Sequence, residues 1–352
     1  MTADPAQLSC PTPRTETERV LLGHGSGGQL SAALVREVIV PALGAAAPTG
    51  PLEDAAVLDV GGVDLVISTD SFVVSPLFFP GGDIGKLAVH GTVNDVAVMG
   101  GEPLVLSLAF VIEEGFPLDD LRRVASSVGE AARAADVSVV TGDSKVVGRG
   151  AADGLFVTTT GIGRRLPTAR LSAAAPSPGD IVLLSGPIGA HGVTVLSARE
   201  GLGFDGAVAS DTQPLHRLVR AMVDAGGPAV HAVRDPTRGG LASALNEIAA
   251  AAGVGVTIDD SSVPIPGPVA AACEMLGLDP LHVANEGCLV AFVAPTAADA
   301  VLSAMRSVPE GTAAVQVGRA VADHPGRVTA RTLVGSQRIV DMLIGEQLPR
   351  IC

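Results

Sequence analysis

The chain has 352 residues with 23 Lys+Arg against 37 Asp+Glu, a formal charge of −14 that offers no cationic footprint for a phosphate backbone. Aromatic residues make up 2%, with no Trp and no Tyr, which removes the stacking platforms of single-strand binders. At 47% hydrophobic the sequence can pack sizeable cores, and its length sets a prior of two domains. No apolar stretch is read as long enough to span a bilayer, and the first twenty residues lack a secretory apolar core. The four cysteines, Cys10, Cys273, Cys288 and Cys352, form no C-x-x-C. The expectation is a cytoplasmic protein with neither nucleic acid nor membrane as partner.

In chain order, residues 1–19 are rich in Pro, Thr and charge and read as a disordered arm. Residues 20–165 read as a first, mixed domain. It opens with a Gly-rich turn, GHGSGG, leading into an amphipathic helix with Leu30, Leu34 and Val38 on one face, stopped by Pro41. AAVLDV and DLVISTDSFVV flank a Gly-Gly turn as two strands. The span 83–98 is a helix closed by glycines, PLVLSLAFVIEE a strand, LDDLRRVASSVGEAARAAD a helix, and VSVVTGD and DGLFVTTTGIG two further strands. PTARLSAAAPSPGD is the linker candidate. Residues 176–335 form a second, α/β domain, and 336–352 a short helix, SQRIVDMLIG, followed by a tail ending in Cys352.

Five aspartates sit beside apolar runs and small-residue turns: Asp54, Asp70, Asp95, Asp143 and Asp235. Carboxylates at element ends supply the hard oxygen ligands that Mg²⁺ and a polyphosphate require. Singly, each has a plainer reading; Asp235 before Pro236 is a good helix N-cap. Lys86, His90 and Asn94 form one stripe at i, i+4 and i+8, either a solvated face or part of a site. Lys86 and Lys145 are the only lysines in an Arg-biased chain, and lysine can be tuned into a proton carrier where arginine cannot. Gly23, Gly25 and Gly28 match G-x-G-x-x-G, as do Gly201, Gly203 and Gly206, so the pattern marks an anion-binding loop or a structural turn equally. Pro349 forbids helix before Cys352, so the last residues from Gly345 can reach roughly 20–25 Å at about 3.3–3.6 Å each. A thiol there is either a frayed end or a carrier.

Together GHGSGGQ, DSFVV, GKLAVHGTVNDVAVMGGEP, VVTGDSKVV, HAVRDPTRGGLASALNEIA, NEG and a terminal PRIC resemble the HypE family, the carbamoyl dehydratases of [NiFe]-hydrogenase maturation. The resemblance covers residues 20–352. Single segments are shared with the wider superfamily of aminoimidazole ribonucleotide synthetase, selenophosphate synthetase and thiamine-monophosphate kinase; Pro-Arg-Ile-Cys is the specific part. Two departures are visible: Glu53-Asp54 stands where relatives often show two aspartates, and Ser144 where threonine is common.

The resemblance implies an α+β, two-domain aminoimidazole ribonucleotide synthetase-like fold. The N-terminal sheet would form a barrel across a homodimer, beside a C-terminal α/β domain and a flexible C-terminal tail. It implies ATP and Mg²⁺ near Asp54, Asp70, Lys86, His90, Asn94, Asp95, Gly142, Asp143 and Asp235. It further implies that a carbamoyltransferase, HypF, loads Cys352, and that the carboxamide is dehydrated to a thiocyanate with Lys145 and Glu286 as bases. The cyano group would then pass to iron on a HypC–HypD scaffold. Two other classes stay open: a superfamily ATP-using enzyme with a diffusible substrate, and a non-catalytic docking protein. A selenophosphate synthetase would want a reactive Cys in the N-terminal loop, and GHGSGG has none.

Overall fold

In the computed structural model, residues 19–25, 27–203, 206–345, 348 and 350–352 are described, and they build two large sheets, each with its own helices, and a two-stranded hairpin. The expected arm lies almost wholly outside the described residues, as do Cys10, Ser26 and Pro349. The first helical stretch comprises α1 (Gln29–Ala33), a π-helical segment Leu34–Ile39, α2 (Val40–Leu43) and a 3₁₀ turn to Ala46. Pro41 therefore does not stop the helix as expected. The chain is π-helical just before it, and π-turns are a known accommodation where the regular i→i−4 ladder is interrupted. This stretch, Gln29–Ala46, also corrects the reading that no apolar segment is long enough to cross a membrane: by length and composition alone it is, and it carries Val38, Ile39 and Leu43 exposed. Arg36 and Glu37 in its middle weigh against a spanning role.

The first sheet is assembled from β1 (Ala56–Val60) and β2 (Val63–Phe72), a small hairpin of β3 (Phe78–Phe79) and β4 (Gly82–Asp83) beside it, then α3 (Ile84–Val98), β5 (Gly101–Glu113), α4 (Leu118–Ala134), β6 (Ser138–Val147) and β7 (Leu155–Arg165). Its order is β1-β2-β7-β5-β6, with only β5 and β6 parallel. Period-2 alternation decides which face is covered. On β7, Leu155, Val157 and Thr159 are buried beneath the helices, while Thr158 and Thr160 lie on the opposite, bare face. Each fully buried Val or Leu of this kind contributes about 1.5–3 kcal/mol. Gly161 and Gly163 let α3 lie directly on the strand, since a Cβ there would come within 2.8 Å of Thr92 and 2.6 Å of Val96. Asp83 caps α3, accepting from the Gly85 and Lys86 amides at 2.8 and 3.1 Å.

The second domain runs through β8 (Ile181–Leu184), α5 (Ala190–Glu200), α6 (His216–Gly226), β9 (Val230–Arg234), α7 (Gly240–Ala252), β10 (Gly255–Asp259), α8 (Gly267–Leu276), β11 (Val290–Val293), α9 (Ala298–Arg306), β12 (Val315–Val321), β13 (Val328–Arg331) and β14 (Gln337–Val340). The sheet order is β14-β13-β10-β12-β8-β11-β9. Both faces are covered: Val182 and Leu184 pack with α7, and Leu183 between them packs with α6 and α9. β14 corrects the expected final helix. Residues 337–340 pair antiparallel with β13, whose free edge gives a short, ambiguous apolar run a ladder to complete. The linker candidate is not loose either, because its Ala169 and Leu171 are buried against α6 and β9.

Candidate active site

Where the two domains meet, Asp54 before β1, Asp95 on α3 and Asp235 after β9 bring carboxylate oxygens within 4.8 Å of one another. Asp70 on β2 adjoins them, accepting from the Thr92 hydroxyl at 3.2 Å. Ser68 Oγ lies 2.8 Å from Asp95 Oδ2, and the Arg234 guanidinium spans Asp54 at 3.0 Å and Glu247 at 2.7 Å. Burial pushes the Asp54 carboxyl up to about 6 despite Arg234, and burial together with Asp54 pushes Asp235 up to about 7. Burial, then Asp70, Asp235 and Asp54, raises Asp95 well above the usual carboxylate range. Buried carboxylates crowded in this way oppose one another's ionisation, and a hard divalent cation relieves the repulsion. The residues present therefore fit Mg²⁺.

The other expected ligands divide. Asp143 does not join the cluster: it lies on β6 at the sheet edge, exposed, with its carboxylate 2.6 Å from Lys145 Nζ. That lysine holds the Asp143 carboxyl below its ordinary range. Lys145 is thus paired with Asp143 and not, within one chain, with Glu286. Gly142 earns its place by packing, since a Cβ would stand 2.1 Å from the Leu108 carbonyl of the neighbouring strand. Glu53 turns away from the cluster and fastens the linker, accepting from the Ser172 hydroxyl at 2.6 Å and the Ala173 amide at 2.9 Å.

The polar stripe on α3 is not a solvated face. Asn94 is fully buried and stitches the domains together: its Nδ2 donates to the Gln213 carbonyl at 3.1 Å and its Oδ1 accepts from the Leu215 amide at 2.8 Å. Its amide is thus committed to backbone and not presented to a nucleotide. His90 is buried with Nδ1 3.2 Å from Thr212 Oγ1, and burial lowers it to about 3, so the ring is neutral. Lys86 is half-buried and donates to the Gly81 carbonyl at 3.0 Å. The Gly-rich loop is also spent on structure. The Gln29 and Leu30 amides donate to Leu343 and Ile344, and a Cβ on Gly28 would come within 2.3 Å of the Leu343 carbonyl.

The C-terminal residues fold back between the domains. Cys352 lies where burial pushes its thiol up to about 12; Arg238 opposes that shift, while Glu286 and Asp70 add to it. Glu286 is 2% exposed, and its Oε1 has no hydrogen-bond partner among the described residues. Burial, Asp235 and Asp211 raise its pKa well above the ordinary value. The arrangement has the parts of a reaction site: a half-buried thiol, a buried carboxyl with an unpartnered oxygen, a guanidinium and a carboxylate cluster suited to a divalent cation, with Asp70 within electrostatic reach of both thiol and cluster. Sequence reading missed Arg234 and Arg238, which bracket Asp235 within the quoted AVRDPTRGG and were legible there as paired cations around an acid. It also missed Asp211, His191 and Arg199, which carry no local signal.

Residues 52–165 match the family described as AIR synthase related protein, N-terminal domain, and residues 177–331 match its C-terminal domain. The chain is 53% identical over 331 residues to carbamoyl dehydratase HypE of Bradyrhizobium diazoefficiens, covering 94% of this chain and 95% of that one. Among solved structures, a HypE–HypF complex matches with TM-score 0.83 at 45% identity, covering 88% of this chain and all of that one. Hydrogenase maturation protein HypE in complex with ATP matches with TM-score 0.80 at 45% identity, covering 95% and 100%.

Proposed function

The chain belongs to the carbamoyl dehydratase HypE family, and from that premise we propose that its substrate group is carried on its own Cys352 and dehydrated in the chamber between the domains. It is an ATP-dependent carbamoyl dehydratase of hydrogenase maturation. The observation that carries the assignment of site is the docked chain end: Ile351 and Arg238 line one cavity with Ala284, and Cys352 packs in the same cluster, within electrostatic reach of Arg238, Glu286 and Asp70. HypF, seen with a HypE in the similar complex, is the loading partner in this reading. HypC–HypD then takes the cyano group, in the cytoplasm.

Asp54, Asp95 and Asp235 would hold Mg²⁺, with Asp70 completing the set. Mg²⁺–ATP supplies the phosphoryl group that makes the carboxamide oxygen a leaving group. The chain's own residues do the rest. The main-chain contacts of residues 350–352 orient the thiol carrier, and the buried Glu286 and Ile351 limit the water that could hydrolyse an activated amide. Arg238 offsets negative charge beside the sulfur. Two N–H protons must leave: Glu286 takes the first as the carboxamide oxygen is phosphorylated, and the second goes to the departing phosphate as the carbon–oxygen bond breaks and the carbon–nitrogen triple bond forms. A buried carboxyl with raised pKa needs a cation nearby to act as a base. Lys145, exposed on the β6 edge with Asp143, is available to a second copy of the chain. Homodimerisation is supported by that unpaired edge, where Val139 and Val140 are exposed, and by the bare sheet face bearing Leu58, Val60, Val63 and Val111. Phosphate release in step with loss of water from carbamoyl-loaded Cys352 is the result expected. A loaded protein that releases no phosphate with ATP would instead be a docking protein.

A further inference from the structure

A chain end normally frays, yet each of the last three main-chain oxygens here has a partner. Arg350 O accepts from the Ser75 amide at 3.2 Å and from Arg199 at 2.8 Å. Ile351 O accepts from His191 Nε2 at 2.8 Å, and Cys352 O from the Val73 amide at 3.0 Å. The Ile351 side chain is 2% exposed in a cluster with Phe72, Val195 and Ala284. Arg350 sits at φ +51°, a left-handed conformation costing a non-glycine residue about 1–2 kcal/mol, and its side chain donates to Val73 O and pairs with Asp153. Two of these partners, His191 and Arg199, lie on one element, α5, and neither is part of the cation cluster or the proton-transfer set.

The tautomer of His191 follows from its neighbours. A carbonyl can only accept, so Nε2 carries the proton that Ile351 O receives. Nδ1, 2.8 Å from Ser210 Oγ, is then the acceptor, and the Ser210 hydroxyl donates to it while its oxygen accepts the Thr212 amide at 3.2 Å. The ring is fully buried and edge-on to Phe79, its centroid 5.5 Å away, so it has one orientation. Arg199 reaches both strands of the contact: Nε donates to Ser75 O at 2.8 Å, and a terminal nitrogen donates to Arg350 O. A one-residue slip of the tail would break every one of these contacts.

We propose that His191 and Arg199 are positioning residues for the dehydration: α5 reads the backbone of residues 350 and 351 and thereby fixes Cys352 in the reaction chamber. The proposal rests on the reading of Cys352 as carrier, but its first test does not. In the full-length protein, the rate of iodoacetamide alkylation of the C-terminal peptide, read by mass, reports whether the tail is docked. His191→Leu should raise that rate at least tenfold, and Arg199→Ala, at a half-buried site that tolerates truncation, should raise it severalfold. His191→Gln should restore protection, because its amide has a similar reach and donates to the same carbonyl. With carbamoyl-loaded protein, both truncations should lower the single-turnover dehydration rate at unchanged half-saturating ATP. Unchanged alkylation in both truncations, or no rescue by Gln, overturns the proposal. If protection behaves as stated but Cys352 never carries an adduct, the carrier reading fails and the docking role stands.

Discussion

Asp211 and Gly287 are locked to one another: the Asp211 carboxylate accepts the Gly287 amide at 3.0 Å, and the Asp211 carbonyl would lie 1.8 Å from any Cβ at position 287. The same carboxylate accepts the Glu286 amide at 3.2 Å, so this contact sets where the Glu286 side chain begins. Gly287→Ala should therefore push residue 286 out of place. The expected outcome is a loss of about 1–3 kcal/mol in unfolding free energy, with dehydration abolished and carbamoyl loading of Cys352 retained.

The carboxylate cluster predicts an unusual pH response. Asp54 and Asp235 have folded-state values of about 6 and 7, above the ordinary 3.8. For an acid raised in this way, its contribution to stability is fully present below the unfolded value and is lost as pH rises through the folded one. In EDTA the melting temperature should accordingly fall between about pH 4 and pH 7. Mg²⁺ should raise it more at pH 8 than at pH 5, because the ion binds the ionised set. Asp235→Asn should flatten the fall and abolish the Mg²⁺ effect; a melting curve as steep as that of the unmodified protein would contradict the cluster's role.

Asn94 joins the domains through buried main-chain groups, so Asn94→Ala leaves the Gln213 carbonyl and Leu215 amide without partners. Its cost should be about 1–3 kcal/mol for each orphaned group, measured by urea unfolding. Nucleotide affinity per folded molecule should be little changed, because the Asn94 amide is committed to the main chain of Gln213, Leu215 and Glu286.

Much of this was readable in the residues and some was not. β1, β2, β5, β6 and β7 follow from alternation and Gly-Gly or Gly-Asp punctuation, and α3 and α4 from their length and caps. Asp54, Asp95 and Asp235 stand out because each sits beside an apolar run and a small-residue turn. The errors share a cause, which is that tertiary partners decided the outcome. Residues 337–340 are a strand only because β13 offers an edge, and Asn94 is a clamp only because residues 213–215 arrive from the other domain. Asp143 and Lys145 share the local pattern of site residues, yet a single chain leaves them on an exposed edge. Nothing in the local sequence around Asp211 or His191 signals what each holds.

That exposed edge gives a prediction for a mixed assembly. If Lys145 of one copy serves Cys352 of the other, Lys145→Ala and Cys352→Ala proteins should each be inactive alone. Combined and allowed to exchange subunits, they should recover activity, up to about a quarter of the sites if pairing is random. Light scattering on either variant alone should give the mass of a dimer. No recovery from a verified mixed dimer would place Lys145 in the same chain's site or outside the reaction.

The most direct measurement is intact-mass analysis of the C-terminal peptide after incubation with the carbamoyl-donating system, with and without ATP. In the unmodified protein a carbamoyl adduct on Cys352 should form first, then lose the mass of one water only when ATP is present. Lys145→Ala and Glu286→Gln should stop at the carbamoyl adduct, Cys352→Ala should carry none, and replacement of Cys10, Cys273 or Cys288 should change nothing. A carbamoyl or cyano adduct accumulating on another residue of Cys352→Ala protein would contradict the account.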